Sequence, residues 1–238
     1  MSSVECNVED TAFRIAVDND WERNRVETLA SKEPETIRWI LDHVRAGDTL
    51  YDIGANIGLY AILAAVRSPT ARVIAVEPMA ATFARLCENI ALNRLANLDP
   101  YCVAIDAKSG LGTLNLSSLD AASSMHSVGD SAMTEMFGEQ VVIRAGVGLT
   151  TLDDLATVAG APTLIKIDVD GGEDNVLAGA AAVLRNPSLR SVLIEFNWSS
   201  AQQKRRDAPL LQAGFTPVAE GIEYARGALR WQNTIYVR

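Results

Sequence analysis

The sequence is short of the residues that staple small proteins or hold soft metals. It has three cysteines, Cys6, Cys87 and Cys102, and two histidines, His43 and His126. The cysteines are odd in number and widely spaced, with no C-x-x-C and no histidine pair nearby. That excludes a disulfide framework and a thiolate zinc site and leaves reduced thiols in or near a core. No apolar run approaches the roughly 18–20 residues a membrane span needs. The opening residues are acidic and polar, unlike a secretory signal, so a cytoplasmic protein is expected. Basic charge is scarce too: 21 Lys and Arg against 30 Asp and Glu leave a formal charge of −9. Proteins that grip a phosphate backbone rely on clustered cations. The one short cluster here, Lys204-Arg205-Arg206, is expected to be a solvated helix face. The expected partner is therefore a small molecule or a glycan, not a nucleic acid or a membrane, and a homodimer stays open.

What is present suffices for a large core: 48% of the 238 residues are hydrophobic and 21% charged, which fits one α/β domain. No repeat, low-complexity segment or linker divides the chain, so residues 1–238 are expected to form one unit. Residues 1–48 read as an N-terminal arm, with a short strand at Phe13–Val17, and a helix. That helix starts near Glu33-Pro34-Glu35, with proline early and carboxylates in the first turn. Ile37, Ile40, Leu41 and Val44 form its apolar face, and Gly47 its expected stop. Afterwards apolar, β-rich runs at 49–53, 72–76, 99–105, 163–169 and 190–196 alternate with helical patterns at 57–67, 79–94, 173–185 and 199–212. Their near-continuous hydrophobicity predicts parallel strands buried on both faces, with helices on both sides. Spans 216–221 and 230–237 read as an antiparallel C-terminal hairpin. The expected fold is a doubly wound, mostly parallel, seven-stranded α/β sheet. Residues 107–148, before a helix at 151–159, break the rhythm. So long a connection reads as an inserted lid or binding loop, with hairpin strands near 111–116 and 140–144 and a Ser-rich middle over the sheet's carboxyl edge.

Two segments carry chemistry. Asp52-Ile53-Gly54-Ala55-Asn56-Ile57-Gly58 joins the first strand of the sheet to its helix. Gly54 permits a sharp turn and close approach to a ligand, and Gly58 close packing of the helix on the strand. The pattern is D-x-G-x-x-x-G, with Asn56 where a dinucleotide fingerprint needs its second glycine. A side chain there crowds a pyrophosphate but suits the amino-acid end of S-adenosylmethionine, whose ammonium Asp52 can accept. Glu77, at the tip of the second strand before Pro78, can accept both hydroxyls of an adenosine ribose. The second segment is Leu164-Ile165-Lys166-Ile167-Asp168-Val169-Asp170-Gly171. Strand alternation puts Lys166, Asp168 and Asp170 on one side. A buried Lys166 needs a carboxylate partner, either Asp168 or Glu195 of Ile194-Glu195-Phe196-Asn197. Asp168 and Glu195 stand at the carboxyl ends of their strands, where such sheets bind ligands. His43, late in a helix, reads as structural. His126, inside the insertion, is a candidate general base.

These residues resemble FkbM-type methyltransferases, which have the class I S-adenosylmethionine-dependent fold. The matching pieces are Lys32-Glu33-Pro34-Glu35-Thr36, Asp52 to Gly58, Glu77-Pro78, Thr151-Leu152-Asp153-Asp154-Leu155 and Lys166-Ile167-Asp168-Val169-Asp170-Gly171-x-Glu173. The resemblance implies O-methylation of a hydroxyl on a sugar, glycan or secondary metabolite, with cofactor contacts at Asp52, Gly54, Asn56, Gly58 and Glu77. After the third strand, Ala104-Ile105-Asp106-Ala107 places its acid one position earlier than the family pattern, which leaves open a contact from Asp106 to the adenine. The expected mechanism is direct in-line transfer, with Asp168 as base or orienting group and Lys166 or Glu195 setting its charge. A Mg²⁺ ion held by Asp168, Glu195 and Asn197 is a second expectation. The rival readings are a nicotinamide-dependent oxidoreductase and a non-catalytic nucleoside-binding module.

Overall fold

A computed structural model describes residues 2–129, 140–199, 207–227 and 229–238. The chain opens with a hairpin, β1 (Ser3–Val8) antiparallel to β2 (Thr11–Ala16), where the sequence suggested one strand. Strand β2 alternates as a half-buried strand should: Thr11, Phe13 and Ile15 point inward, Ala12 and Arg14 outward. Helix α1 (Asp20–Lys32) follows, an element the sequence reading missed. A capping box starts it. The Asn19 side chain accepts from the Glu22 N–H at 2.9 Å, and the Glu22 carboxylate accepts from the Asn19 N–H at 3.2 Å. Helix α2 (Pro34–His43) has proline in its first turn and ends at His43 with Val44 as cap, earlier than the expected stop at Gly47.

The alternating region then unfolds as β3 (Thr49–Ile53), α3 (Leu59–Arg67), β4 (Arg72–Val76), α4 (Ala80–Leu92) and β5 (Leu98–Tyr101). The expected third strand is shorter, because β6 (Ala104–Ile105) leaves it for a second sheet. That sheet holds β7 (Gly110–Leu116), β8 (Ser127–Val128) and β9 (Ile143–Thr150), in the order β6-β9-β7-β8. Met79, Ala104, Leu114, Leu116 and Val147 form a small core for it. The described part of the insertion is thus built structure and not a plain loop; its residues 130–139 lie outside the description.

Helix α5 (Leu152–Ala159) and strand β10 (Leu164–Ile167) return the chain to the main sheet. The strand stops at Ile167, short of the predicted Val169, because positive φ at Asp170 (53°) and Gly171 (102°) turns the backbone away. The helix expected over 173–185 breaks into α6 (Glu173–Ala178) and α7 (Ala181–Arg185). Strand β11 (Ser191–Ser199) runs through the start of the expected helix at 199, leaving α8 (Ala208–Gln212). Lys204-Arg205-Arg206 lie outside the described residues. The chain closes with β12 (Thr216–Glu220), β13 (Tyr224–Arg226) and β14 (Leu229–Val237).

Seven strands lie in the order β12-β14-β11-β10-β3-β4-β5, and β13 adds an eighth alongside β14. The pairs β5–β4–β3–β10–β11 are parallel; β14 is antiparallel to β11, β12 and β13. Helices α1 to α4 and the N-terminal hairpin cover one face, through Leu29, Trp39, Ile40, Ile62 and Leu86 against Leu50, Leu164 and Leu193. Helices α5 to α8 cover the other, against Ile53, Ile165, Ile167 and Ile194. Among the cysteines, Cys6 is buried, but Cys102 is exposed, outside the expected core position. No helix among the described residues is long and apolar enough to cross a membrane.

Candidate active site

The chain crosses from β3 to β4 on one side and returns to β10 on the other, so strand order reverses beside β3. Open α/β sheets bind ligands at that point, beyond the strands' carboxyl ends. Here it holds a cavity of about 380 Å³ lined from β3, β4, β10, β11, α1 and the insertion, within the ~300–1,000 Å³ of typical ligand clefts.

The turn after β3 shapes one half. Gly54 has φ +80°, and a Cβ on it would lie 1.8 Å from the Asp168 carbonyl oxygen, so no other residue fits this backbone-to-backbone approach. Asn56 takes the same left-handed region (φ 52°). Its N–H donates to Glu77 Oε2 at 3.0 Å, while the Met79 N–H donates to Glu77 Oε1 at 2.8 Å. Burial nonetheless outweighs both donors and pushes the Glu77 carboxyl up to about 7. Ala104 and Asp106 line the same half, and Asp106 accepts from Asn175 Nδ2 at 3.2 Å.

Two expected cofactor contacts stand elsewhere. Gly58 caps α3 with φ +92°; a Cβ there would meet Leu86 Cδ1 of α4 at 2.5 Å, so its role is helix-to-helix packing and not the cavity wall. Asp52 is only 1% exposed and turned beneath the sheet's α1–α4 face. Strand register explains this. Asp52 pairs with Lys166 of β10, whose other neighbour is Leu193 of β11, so all three project to one face. Lys166 Nζ lies 3.5 Å from Asp52 Oδ1 and 3.3 Å from Asp168 Oδ2, and 5.3 Å from the centre of the Tyr60 ring. Its partners are thus Asp52 and Asp168; Glu195 does not reach it.

The carboxyls divide into two states. Burial would raise Asp168, but the cations of Lys166, Lys32 and Arg25 prevail and hold it below the usual carboxylate range. Burial, then the charges of Asp168 and Glu33, push the Glu195 carboxyl well above that range. A quarter of the Asp168 side chain (25%) is open to the cavity. Two carboxyls lining one cavity whose surroundings push them in opposite directions are a common arrangement for proton transfer.

The insertion supplies Ser123 to Val128 as a wall. Three successive carbonyls are held from different elements: Ala121 O by Asn19 Nδ2 (3.2 Å), Ala122 O by Arg25 Nε (2.6 Å) and Ser123 O by Asn56 Nδ2 (3.0 Å). The Ala122 N–H donates to Thr82 Oγ1 at 3.2 Å and the Met125 N–H to Asp170 Oδ2 at 2.7 Å. Burial, then the charge of Asp168, lifts Asp170 to about 6. His126 also reaches the cavity. Its Nδ1 accepts from the Ser117 N–H at 3.3 Å, which leaves Nε2 to donate to Ser123 Oγ at 3.0 Å. Burial lowers it to about 4. A histidine so held is neutral and has no open acceptor for a substrate proton.

Sequence reasoning missed Arg25, Lys32, Glu33 and Tyr60, which all line the cavity. Lys32 and Glu33 were visible as a helix start and as part of a family-like piece with no role given, and Tyr60 only as one helical residue among several. Contact between them depends on how distant segments pack. Among the described residues no three His, Cys, Asp or Glu side chains form a metal-ligand group. The expected Mg²⁺ set of Asp168, Glu195 and Asn197 gains no support: burial and the neighbouring acids disfavour the ionised form of Glu195, and a lysine ammonium sits against Asp168.

The model of the FkbM methyltransferase domain matches residues 52–217. The chain belongs to this family. The FkbM-family chain is 29% identical over 189 residues to a hexuronic acid methyltransferase, AglP, of Haloferax volcanii, spanning 78% of this chain and 71% of that protein. It is also 29% identical over 221 residues to the 31-O-demethyl-FK506 methyltransferase FkbM of Streptomyces tacrolimicus, spanning 79% and 82%. Among solved structures, a ribosomal protein L11 methylase from Lactobacillus delbrueckii subsp. bulgaricus superposes with a TM-score of 0.50 at 14% identity, covering 94% of this chain and 81% of that one. The FkbM-family chain is therefore an S-adenosylmethionine-dependent methyltransferase with the class I, Rossmann-like fold. The oxidoreductase and non-catalytic readings fall.

Proposed function

We propose that this methyltransferase transfers a methyl group to a hydroxyl oxygen of a sugar, glycan or secondary metabolite, with Asp168 as the proton acceptor. One observation carries the reading: Asp168 lies 3.3 Å from the Lys166 ammonium, and a quarter of its side chain (25%) is open to the cavity that Glu195 also lines. The relatives' printed names, a hexuronic acid methyltransferase and a methyltransferase for a 31-O position, support it.

The donor set of the cavity fits S-adenosylmethionine. Among the lining residues we assign Glu77 to the two ribose hydroxyls, Asp106 and Asn175 to the adenine edge, and Arg25 to the methionine carboxylate. The cofactor supplies an already electrophilic methyl on a sulfonium, so the protein needs to align an oxygen and take up its proton. With the cofactor bound, the acceptor oxygen's lone pair would form the new C–O bond as the sulfonium S–C bond breaks and its electron pair returns to sulfur as a neutral thioether, and that oxygen would become strongly acidic. A carboxylate as weakly basic as Asp168 can then accept the proton. Lys166 favours the ionised form of Asp168, and Glu195, whose carboxyl burial pushes up, is the group we assign to orient the acceptor. His126 holds the insertion in place through Ser117 and Ser123.

The test is Asp168→Asn in a screen of cell-extract fractions with radiolabelled methyl donor. Transfer should fall by about 10²–10⁴-fold while S-adenosylhomocysteine still binds by calorimetry. Undiminished transfer would move the base elsewhere.

A further inference from the structure

Helix α1 turns Trp21, Asn24, Arg25, Thr28, Leu29 and Lys32 toward the cavity. The spacing is i, i+3, i+4, i+7, i+8, i+11, one unbroken stripe of a helix. A helix that packs on a core makes that stripe apolar; here Leu29 is its one buried hydrophobic residue, and Trp21 is 45% exposed. Contacts off that stripe also fix the helix at both ends. At its start Glu22 is buried against Arg85 Nε at 2.7 Å, and at its end the Lys32 carbonyl accepts from the Tyr224 hydroxyl. On the far wall Asn197 of β11 and Trp231 of β14 are cross-strand partners, so their side chains share a face, and both line the cavity. Trp231 stacks on Tyr224 with ring centres 5.8 Å apart and planes 17° from parallel. The family match begins at residue 52, which leaves α1 outside it.

We infer that the inward stripe of α1, with Asn197 and Trp231 opposite, is the wall that selects the acceptor, and that it takes an uncharged ring with hydroxyls on its edge and an apolar face, the chemistry of a neutral glycosyl unit. The inference rests on the hydroxyl-methylating reading of the site. Asn24, Thr28 and Asn197 offer neutral donors and acceptors to hydroxyls, and the indole faces bury C–H surface. Charge argues against an anionic acceptor. Lys32 and Lys166 already face Glu33, Asp52 and Asp168, and Arg25 is assigned to the cofactor's carboxylate. Asp106, Asp168 and Asp170 line the same cavity, so a further anion would lie among carboxylates whose nearby cations are already engaged. With Arg25 on the cofactor and Lys32 on Glu33, Trp21, Asn24 and Thr28 are left to the acceptor; they run about 10 Å along the helix, longer than a single sugar ring, so the acceptor extends past the unit that is methylated.

The test uses the full chain saturated with S-adenosylhomocysteine and three probes: methyl β-glucoside, maltose and methyl glucuronoside. Binding is followed by saturation-transfer NMR and calorimetry. Maltose should bind more tightly than the monosaccharide, and the glucuronoside most weakly. Asn24→Ala and Trp231→Leu should each weaken maltose binding by about tenfold, as the loss of one or two neutral contacts does. Trp231→Phe should keep most of it. S-adenosylhomocysteine affinity should change less than about twofold in all three variants. The inference is overturned if neither neutral glycoside binds, if the glucuronoside binds best, or if glycoside and S-adenosylhomocysteine affinity fall together. Asp168→Asn separates the two readings: methyl transfer surviving in it defeats the proposed base but leaves the wall inference standing on its binding data.

Discussion

A carboxyl raised to about 7 by burial, as Glu77 is, changes its proton content when ligand hydroxyls take hold of it. Hydroxyl donors favour the ionised form, so its pKa falls on binding and a proton leaves between the two values. Cofactor affinity should therefore rise as pH climbs through about 7. Calorimetry of S-adenosylhomocysteine in buffers of different ionisation enthalpy should show proton release at neutral pH. Glu77→Gln should abolish that release and weaken binding by about 1.5–3 kcal/mol; release that persists in the variant would assign the proton to another group. Asp52 and Glu77 look alike in the sequence, each a carboxylate near a strand's end, yet only Glu77 faces the cavity. Asp52 still belongs to β3 and its register commits it to the face under α1–α4, whereas Glu77 has left β4 at Val76 and turns toward Asn56. Alternation along one strand did place Lys166 with Asp168. It could not show that Lys166 also answers Asp52 on the next strand, because pairing between strands is not written in either one.

Elements were legible where burial made them so. Strands at 49–53 and 72–76 match their apolar runs to the residue, since both faces are covered. Helix α1 escaped notice for the opposite reason: its inward stripe is polar, and a search for apolar periodicity passes over it. The Asn19-x-x-Glu22 box was the available signal. The insertion was expected to be adaptable, but Ala121 to Met125 is tied at five backbone groups. The amides of Ala122 and Met125 should consequently exchange with solvent as slowly as strand amides. Thr82→Val leaves the Ala122 N–H without its acceptor, an omission worth about 1–3 kcal/mol, and should speed exchange across this segment by about 5–150-fold. Coil-like exchange in the unaltered protein would contradict the tethering.

At the scale of the whole molecule, the centre of the sheet contains charge where such sheets usually hold aliphatic side chains. Lys166 and Asp52 are 2% and 1% exposed, and removing one partner of a buried pair commonly costs about 3–5 kcal/mol, a large part of a domain's ~5–15 kcal/mol. Lys166→Met should lower urea stability by about that amount, and Asp52→Asn in the same chain should restore part of it because the two sites are coupled. A loss below about 1 kcal/mol would mean that water reaches the pair. The cavity above this charged centre has one wall drawn from residues 21–33, whereas the shared family match runs from 52 to 217. If α1 walls the acceptor as inferred above, kinship measured over the later span leaves that part of what receives the methyl group uncompared. Two chains nearly identical from Asp52 onward can differ in the upstream helix and serve unrelated biosynthetic steps.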